Sequence, residues 1–184
     1  MADFKKAYTL ILANEGGYVN DPVDTGGETY KGIARKMNPD WLGWHIIDLL
    51  KKQPGFPESL QSADAIEIKK QLDYEVSSFY YTHFWLKVNG EKIINQQVAQ
   101  SIFDFAVNAG VSVSISLSQS VVGVTADGII GPKTIEAINR FDAGQFLTAF
   151  ALTKIVRYVN ICNKRPVSKK YFFGWVVRSL NHIQ

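Results

Sequence analysis

Nineteen residues, Glu15 to Ile33 (EGGYVNDPVDTGGETYKGI), do most to limit what this chain can fold into. They carry four carboxylates (Glu15, Asp21, Asp24, Glu28) and five glycines, with neither helical nor strict strand periodicity. A stretch this polar fits neither a core helix nor a central strand. It is expected to be a loop with a chemical task, and the flanking segments are read from it.

Upstream, Phe4, Ala7, Tyr8, Ile11 and Leu12 recur at the three-and-four spacing of an amphipathic helix, with Asp3 as N-cap. That helix is expected to run to about Asn14. At about 100° per residue, Glu15 falls roughly 20° from Phe4 and roughly 40° from Ile11. The last turn therefore aims its carboxyl along the apolar face, and Gly16-Gly17 ends the helix. Desolvation and the negative end of the helix both disfavour the charged form of Glu15. A carboxylic acid that keeps its proton near neutral pH is equipped to protonate a leaving sugar oxygen.

Asp24-Thr25-Gly26-Gly27 is a turn signal between Tyr18-Val19-Asn20 and Glu28-Thr29-Tyr30. It predicts one small, irregular β-hairpin folded back over the helix end. Asp24 sits in the polar, solvated turn, where its pKa should stay low, and Thr29 supplies a neutral hydroxyl. Two carboxyls in opposite environments form the acid/base pattern of glycoside hydrolysis.

The string E-G-G-Y-V-N-D-P-x-D-x-G-G-E-T-x-x-G-I, Glu15 to Ile33, resembles the motif of glycoside hydrolase family 108, the N-acetylmuramidases of phage endolysins and secretion-associated lysozymes. The resemblance implies a mostly α, lysozyme-like fold with one small β-hairpin next to the catalytic helix. It also implies cleavage of the β-1,4 bond between N-acetylmuramic acid and N-acetylglucosamine in peptidoglycan glycan strands. Glu15 takes the place of the essential catalytic acid. The order Glu, Asp, Thr looks like the phage-lysozyme triad, in which Asp24 and Thr29 position the hydrolytic water. Thr29 lies one residue closer to Asp24 than that pattern expects, and Thr25 replaces the usual proline after the Asp. Asp21 and Glu28 are further acids on the hairpin, either able to take the second role, and Tyr18 and Glu28 are candidate substrate contacts. The sequence leaves inverting and retaining mechanisms open. Two other readings compete: a lytic transglycosylase, and a non-enzymatic wall-binding or secretion accessory protein.

Downstream, Pro39 to Leu50 reads as a short helix carrying Trp41, Trp44, Ile47 and Leu50. Trp44 is a candidate for stacking on a sugar ring, with core packing the competing reading. A capping box at Asp64 to Glu67 opens a helix that keeps its spacing to Trp85. The turn Asn89-Gly90-Glu91-Lys92 is a lobe boundary, giving a catalytic lobe over 1-92 and a helical lobe over 93-184. Ile93 to Ala109 reads as a buried helix on which Asp104 and Asn108 share one face, either as a satisfied core pair or reaching the cleft, with Asn108 a candidate substrate contact.

The pattern Q-x-x-x-G-x-x-x-D-G-x-x-G-P-x-T, Gln119 to Thr134, resembles the small helical peptidoglycan-binding modules that accompany this muramidase family. Helices are expected over Gln145 to Ile161 and Lys169 to Asn181. The F-G-W-x-x-R of Phe173 to Arg178 looks like the family's closing motif.

A hydrophobic share of 46% supports a real core and excludes a disordered chain. The net charge of +3 conceals an asymmetry. From Ala143 to Gln184 there is no acid, and Lys154, Arg157, Lys164, Arg165, Lys169, Lys170 and Arg178 give that segment +7, leaving −4 for the rest. This segment is a candidate footprint for anionic wall polymers or lipid headgroups, with a solvated helix face as the plain alternative. Nucleic acid is not expected, since it would leave Glu15 to Ile33 without a purpose. The single Cys162 rules out an intramolecular disulfide and suits the core. His45, His83 and His182 are scattered, so no metal site is readable, and nothing calls for a cofactor. No targeting segment is visible. Synthesis in the cytoplasm without a signal peptide is expected, with action at the cell wall or periplasm after release or non-classical export.

Overall fold

The computed structural model describes residues 1–14, 16–20, 27–57, 66–181 and 183. The fold is mostly α and lysozyme-like, with a small antiparallel sheet directly after the first helix. Two compact units make up the chain, residues 8–83 and residues 1–7 together with 84–184.

Helix α1, Phe4–Asn14, starts where its cap predicts. Asp3 Oδ1 accepts the backbone N–H of Lys5 at 2.7 Å and of Lys6 at 3.4 Å, satisfying donors that the first turn leaves open. Ala7 and Ile11 are buried along the expected face. Strand β1, Tyr18–Val19, pairs antiparallel with β2, Thr29–Tyr30, placing Tyr18 opposite Tyr30 and Val19 opposite Thr29. This is the expected hairpin.

The sheet then adds a strand that the sequence does not announce, β3, Ile33–Ala34, paired with β2. The connecting residues Lys31 and Gly32 have φ of 42° and 78°, the mirror-image geometry that suits the twist of a two-residue hairpin. A lysine is a poor turn signal. Here the rest of the unit fixes it: Tyr80 Oη donates to the Lys31 carbonyl at 2.9 Å, the Lys31 N–H donates to the Gly17 carbonyl at 3.2 Å, and Lys31 Nζ pairs with Asp73 at 2.5 Å.

Helix α2 spans Gly43–Leu50 and starts four residues after the expected Pro39. The reason is Trp41. Its indole lies against Gly43 so closely that a Cβ there would come within 2.2 Å of the ring, and its Nε1 donates to the Glu75 carbonyl at 3.3 Å. Glu75 belongs to α3, Ile66–Tyr80, so the turn before α2 is pinned to a neighbouring helix. Trp44, Ile47 and Leu50 of α2 and Leu72 and Val76 of α3 are buried. A π-helical turn, Tyr81–Trp85, continues α3. The expected capping box at Asp64 lies in part outside the described residues.

In the other unit, Phe4, Trp85 and Phe103 meet edge to face or tilted, with ring centroids 5.5 to 6.0 Å apart. Helix α4, Gln96–Ala109, is capped by Asn95, whose side chain accepts the Val98 N–H at 3.0 Å. Gly110 separates it from α5, Val111–Val121, and the buried Ser114 hydroxyl donates back to the Ile102 carbonyl at 2.7 Å. Helix α6 is Pro132–Arg140 and α7 is Ala143–Lys164, the latter capped by Asp142. Helix α8, Lys169–Leu180, docks through Trp175, stacked on Tyr158 at 4.8 Å, and Arg178, which holds Asp104 of α4 with contacts of 2.7 and 3.2 Å.

The Gln119 to Thr134 pattern closes a loop between α5 and α6. The buried Gln119 amide donates to Asp127 Oδ1, the Ile129 carbonyl and Thr134 Oγ1 at 2.8 to 3.1 Å, and its oxygen accepts the Gly128 N–H at 2.9 Å. Gly128 has φ of +74°, and a Cβ there would meet Ser112 Oγ at 2.3 Å and the Ser112 carbonyl at 3.0 Å. The glutamine, the Asp-Gly and the threonine of this pattern are thus explained by their own bonds to one another.

Candidate active site

Glu15, Asp21 and Asp24 lie outside the described residues. What is described is the frame around them in the chain: the helix that leads to Asn14, the glycines at 16 and 17, and the sheet on either side of residues 21–26.

The sheet is braced by a charge network built on Glu28. The backbone N–H of Arg35 donates to the Glu28 carbonyl at 2.8 Å, tying the end of β3 to the start of β2. The Glu28 carboxylate is only 11% exposed. Its Oε1 accepts from the Tyr18 hydroxyl at 3.0 Å and pairs with Lys51 Nζ, and its Oε2 pairs with Arg35 Nε at 3.0 Å. Arg35 Nη2 also donates to Asp48 Oδ1 at 2.7 Å and to the Trp44 carbonyl at 3.3 Å. Two acids and two cations balance. The Arg35 hydrogen bond holds the Asp48 carboxyl below its usual range, and burial, followed by the hydrogen bond with Glu28, pushes the Tyr18 phenol up. With both oxygens engaged, Glu28 is a brace of the hairpin. Tyr18 belongs to the same brace, its ring edge-on to Phe56 at 4.7 Å.

Thr29 sits next to this brace on β2, half-buried, its hydroxyl donating to the Gly27 carbonyl at 3.2 Å. On the other side of the strand Tyr30 is buried and stacked on Trp41 with centroids 6.3 Å apart. Burial first, and the Asp73 charge second, push Tyr30 up to about 12. Tyr8, on α1, is pushed up by the same two causes and by Tyr30, and its ring lies 5.9 Å from that of Tyr80. These phenols stay protonated across the physiological range. Tyr8 sets one of them on α1, next to the buried Ala7 and Ile11.

Trp44 does not fit its expected use, and of the two readings of Asp104 and Asn108 the core pair falls. Trp44 is 3% exposed, its Nε1 donates to the Asn38 carbonyl at 2.8 Å, and its faces meet Arg35 at 4.7 Å and the edge of Trp41 at 5.1 Å. No face is open to a sugar, so Trp44 is a core residue. Asn108 is exposed while Asp104 is buried against Arg178. The buried Asp104–Asn108 pair does not form, because an arginine 74 residues away supplies a stronger, two-pronged partner.

Sequence reading misses Arg35, Asp48, Lys51 and Asp73, whose roles come from tertiary contacts. Only the spacing of Asp48 and Lys51, one helical turn apart, hints at a pair. A cleft of about 490 Å³ between α2 and α3, lined by Ile46, Leu49, Ile68 and Gln71 among others, contains none of the sequence-read site residues. Among the described residues, no group of three His, Cys, Asp or Glu is placed to hold a metal ion.

Comparison with known proteins adds three findings. The family model described as Glycosyl hydrolase 108 matches residues 8–110, and that of a Predicted Peptidoglycan domain matches residues 113–180. The solved structure of Brucella abortus SagA is 24% identical, covers 98% of this chain and 95% of its own, and superposes with a TM-score of 0.61, a likeness of fold. No curated protein sequence matches the chain.

Proposed function

The chain belongs to glycosyl hydrolase family 108 and is a peptidoglycan hydrolase. From that premise we propose that it is an N-acetylmuramidase, cleaving the β-1,4 bond between N-acetylmuramic acid and N-acetylglucosamine with Glu15 as general acid. The observation that carries this reading is the course of α1. It is capped by Asp3, remains helical to Asn14, and sets Tyr8 beside the ring of Tyr80. In the sequence Glu15 follows Tyr8 by seven residues, two helical turns, the spacing from which its carboxyl is expected along the apolar face.

Asp24, with the Thr29 hydroxyl, takes the second role and orients the water or steadies the oxocarbenium-like transition state. Glu28 is unsuited to that role because its oxygens are already paired with Lys51 and Arg35. Tyr18 and Glu28 act on substrate through the hairpin they hold. The exposed cations of the C-terminal segment suit an anionic partner, a wall polymer or a lipid headgroup. The proposed substrate puts its site of action at the cell wall.

Digestion of purified peptidoglycan tests the reading. The wild type should release muropeptides with reducing N-acetylmuramic ends, and Glu15→Gln should be slower by about 10² to 10⁴. Wild-type rates from Glu15→Gln would remove Glu15 from the acid's role. Products ending in 1,6-anhydro sugars would replace hydrolysis by transglycosylation.

A further inference from the structure

Helix α8 has two very different sides. One is docked, through Trp175 on Tyr158, Arg178 on Asp104 and the buried Ser179. The other carries Phe173, Val177 and Leu180, exposed by 80%, 41% and 42%. These three lie at i, i+4 and i+7, so they form one stripe along about 10 Å of helix. Lys169, four residues before Phe173, continues the stripe, and Lys164, Arg165 and Lys170 are exposed around the same end. Val167, in the 3₁₀ turn Pro166–Ser168 between these cations, is 74% exposed.

The surface charge here is uncompensated locally. Of the seven cations after Ala143, Lys154 is buried, Arg157 is half-buried and Arg178 is paired with Asp104, but Lys164, Arg165, Lys169 and Lys170 face solvent in a segment without any acid. An exposed phenylalanine beside a lysine cluster asks for a partner that is apolar and anionic at once. A bare polyanion would meet the lysines and leave Phe173 in water. A second copy of the same face would set lysines against lysines. The headgroup region of an anionic bilayer offers phosphates to the ammonium groups and acyl chains to the stripe, with the lysine stems covering the boundary.

We propose that the outer face of α8 is a membrane-surface anchor that lies flat on anionic phospholipid, with Phe173, Val177 and Leu180 inserted and Lys164, Arg165, Lys169 and Lys170 on the headgroups. No helix among the described residues is long and apolar enough to cross a membrane, which fits a surface-lying mode. The anchor stands on α8 and the turn before it, and would survive failure of the muramidase reading.

Co-sedimentation of the full chain with phosphatidylcholine vesicles, with and without phosphatidylglycerol, tests it at low and high salt. Binding is expected only with phosphatidylglycerol. Lys169→Gln/Lys170→Gln should lower the partition coefficient about fivefold per lysine removed. Phe173→Ser/Val177→Ser should lower it as well, and its residual binding should vanish at high salt. Both variants should keep wild-type melting curves and wild-type rates on soluble peptidoglycan fragments, which separates the anchor from catalysis. Equal binding by wild type and Phe173→Ser/Val177→Ser would overturn insertion, and no binding to phosphatidylglycerol vesicles would overturn the anchor altogether. A dimer in light scattering that Phe173→Ser/Val177→Ser abolishes would assign the face to self-association instead.

Discussion

Lys154 shows how a single buried charge sets the pH response of this protein. It is 2% exposed, donates to Ser101 Oγ at 3.2 Å, and lies 4.7 Å from the centroid of Phe150. Burial pushes it down to about 8 from an ordinary value of 10.5, against the pull of Asp104. Between those two values the unfolded chain holds more protons than the folded one, so stability rises with pH through that window. The cost of keeping the charge buried, roughly 3 kcal/mol at its full extent, is present below the lower value. Tyr30, pushed up to about 12, acts in the opposite sense. Above about pH 10 the folded state keeps a proton that the unfolded state loses, and stability falls as pH rises further. Thermal melts should therefore climb from about pH 8 to about 10 and decline beyond. Lys154→Met should melt several degrees above the wild type near neutral pH, with the gap shrinking toward pH ~9.5. A gap of constant size would place the cost elsewhere.

At the scale of elements, the sheet depends on groups brought from outside it. Glu28 is the point where β1, β2, β3 and α2 are tied together, through Tyr18, Arg35 and Lys51. Glu28→Gln keeps the shape but leaves Arg35 and Lys51 with Asp48 as the one acid of the network. The expected loss is about 2 to 4 kcal/mol in urea unfolding, and Lys51→Met in the same background should return part of it. Additive effects would deny the coupling. This dependence also explains what the sequence conceals. Helices α1, α4, α7 and α8 are legible because apolar spacing persists over many residues, and in α1 the Asp3 cap agrees with it. The hairpin is legible from Asp24-Thr25-Gly26-Gly27. Strand β3 is not, because its turn holds a lysine whose conformation is set by Gly17, Asp73 and Tyr80. An aromatic at helical spacing reads the same over a sugar or over a core, and Trp44 proves to be core. The acids at 15 and 24 are marked by the motif, whereas the cations that brace the hairpin between them come from tertiary contacts that no local pattern shows.

At the scale of the whole molecule, the N-terminus is held by residues more than ninety positions away. Within the unit that joins residues 1–7 to 84–184, Ala2 N–H donates to the Ile93 carbonyl at 2.8 Å, Asp3 N–H to Gln96 Oε1 at 2.7 Å, and Gln96 Nε2 to the Asp3 carbonyl at 3.0 Å. Asp3 is also the cap of α1, so the clamp fixes the backbone from which the cap reaches. A helix start that frays exposes its first donors and shortens α1. Gln96→Ala removes two hydrogen bonds and should cost about 1 to 3 kcal/mol, and Asp3→Ala should cost about 1 kcal/mol through the cap. Because both act on the same residue, the double variant should lose measurably less than the sum, since a cap whose backbone is already free has less left to give. Thermal unfolding of the two single variants and the double variant decides this. Strict additivity would mean that clamp and cap work independently, and that α1 is held at its start by local sequence alone.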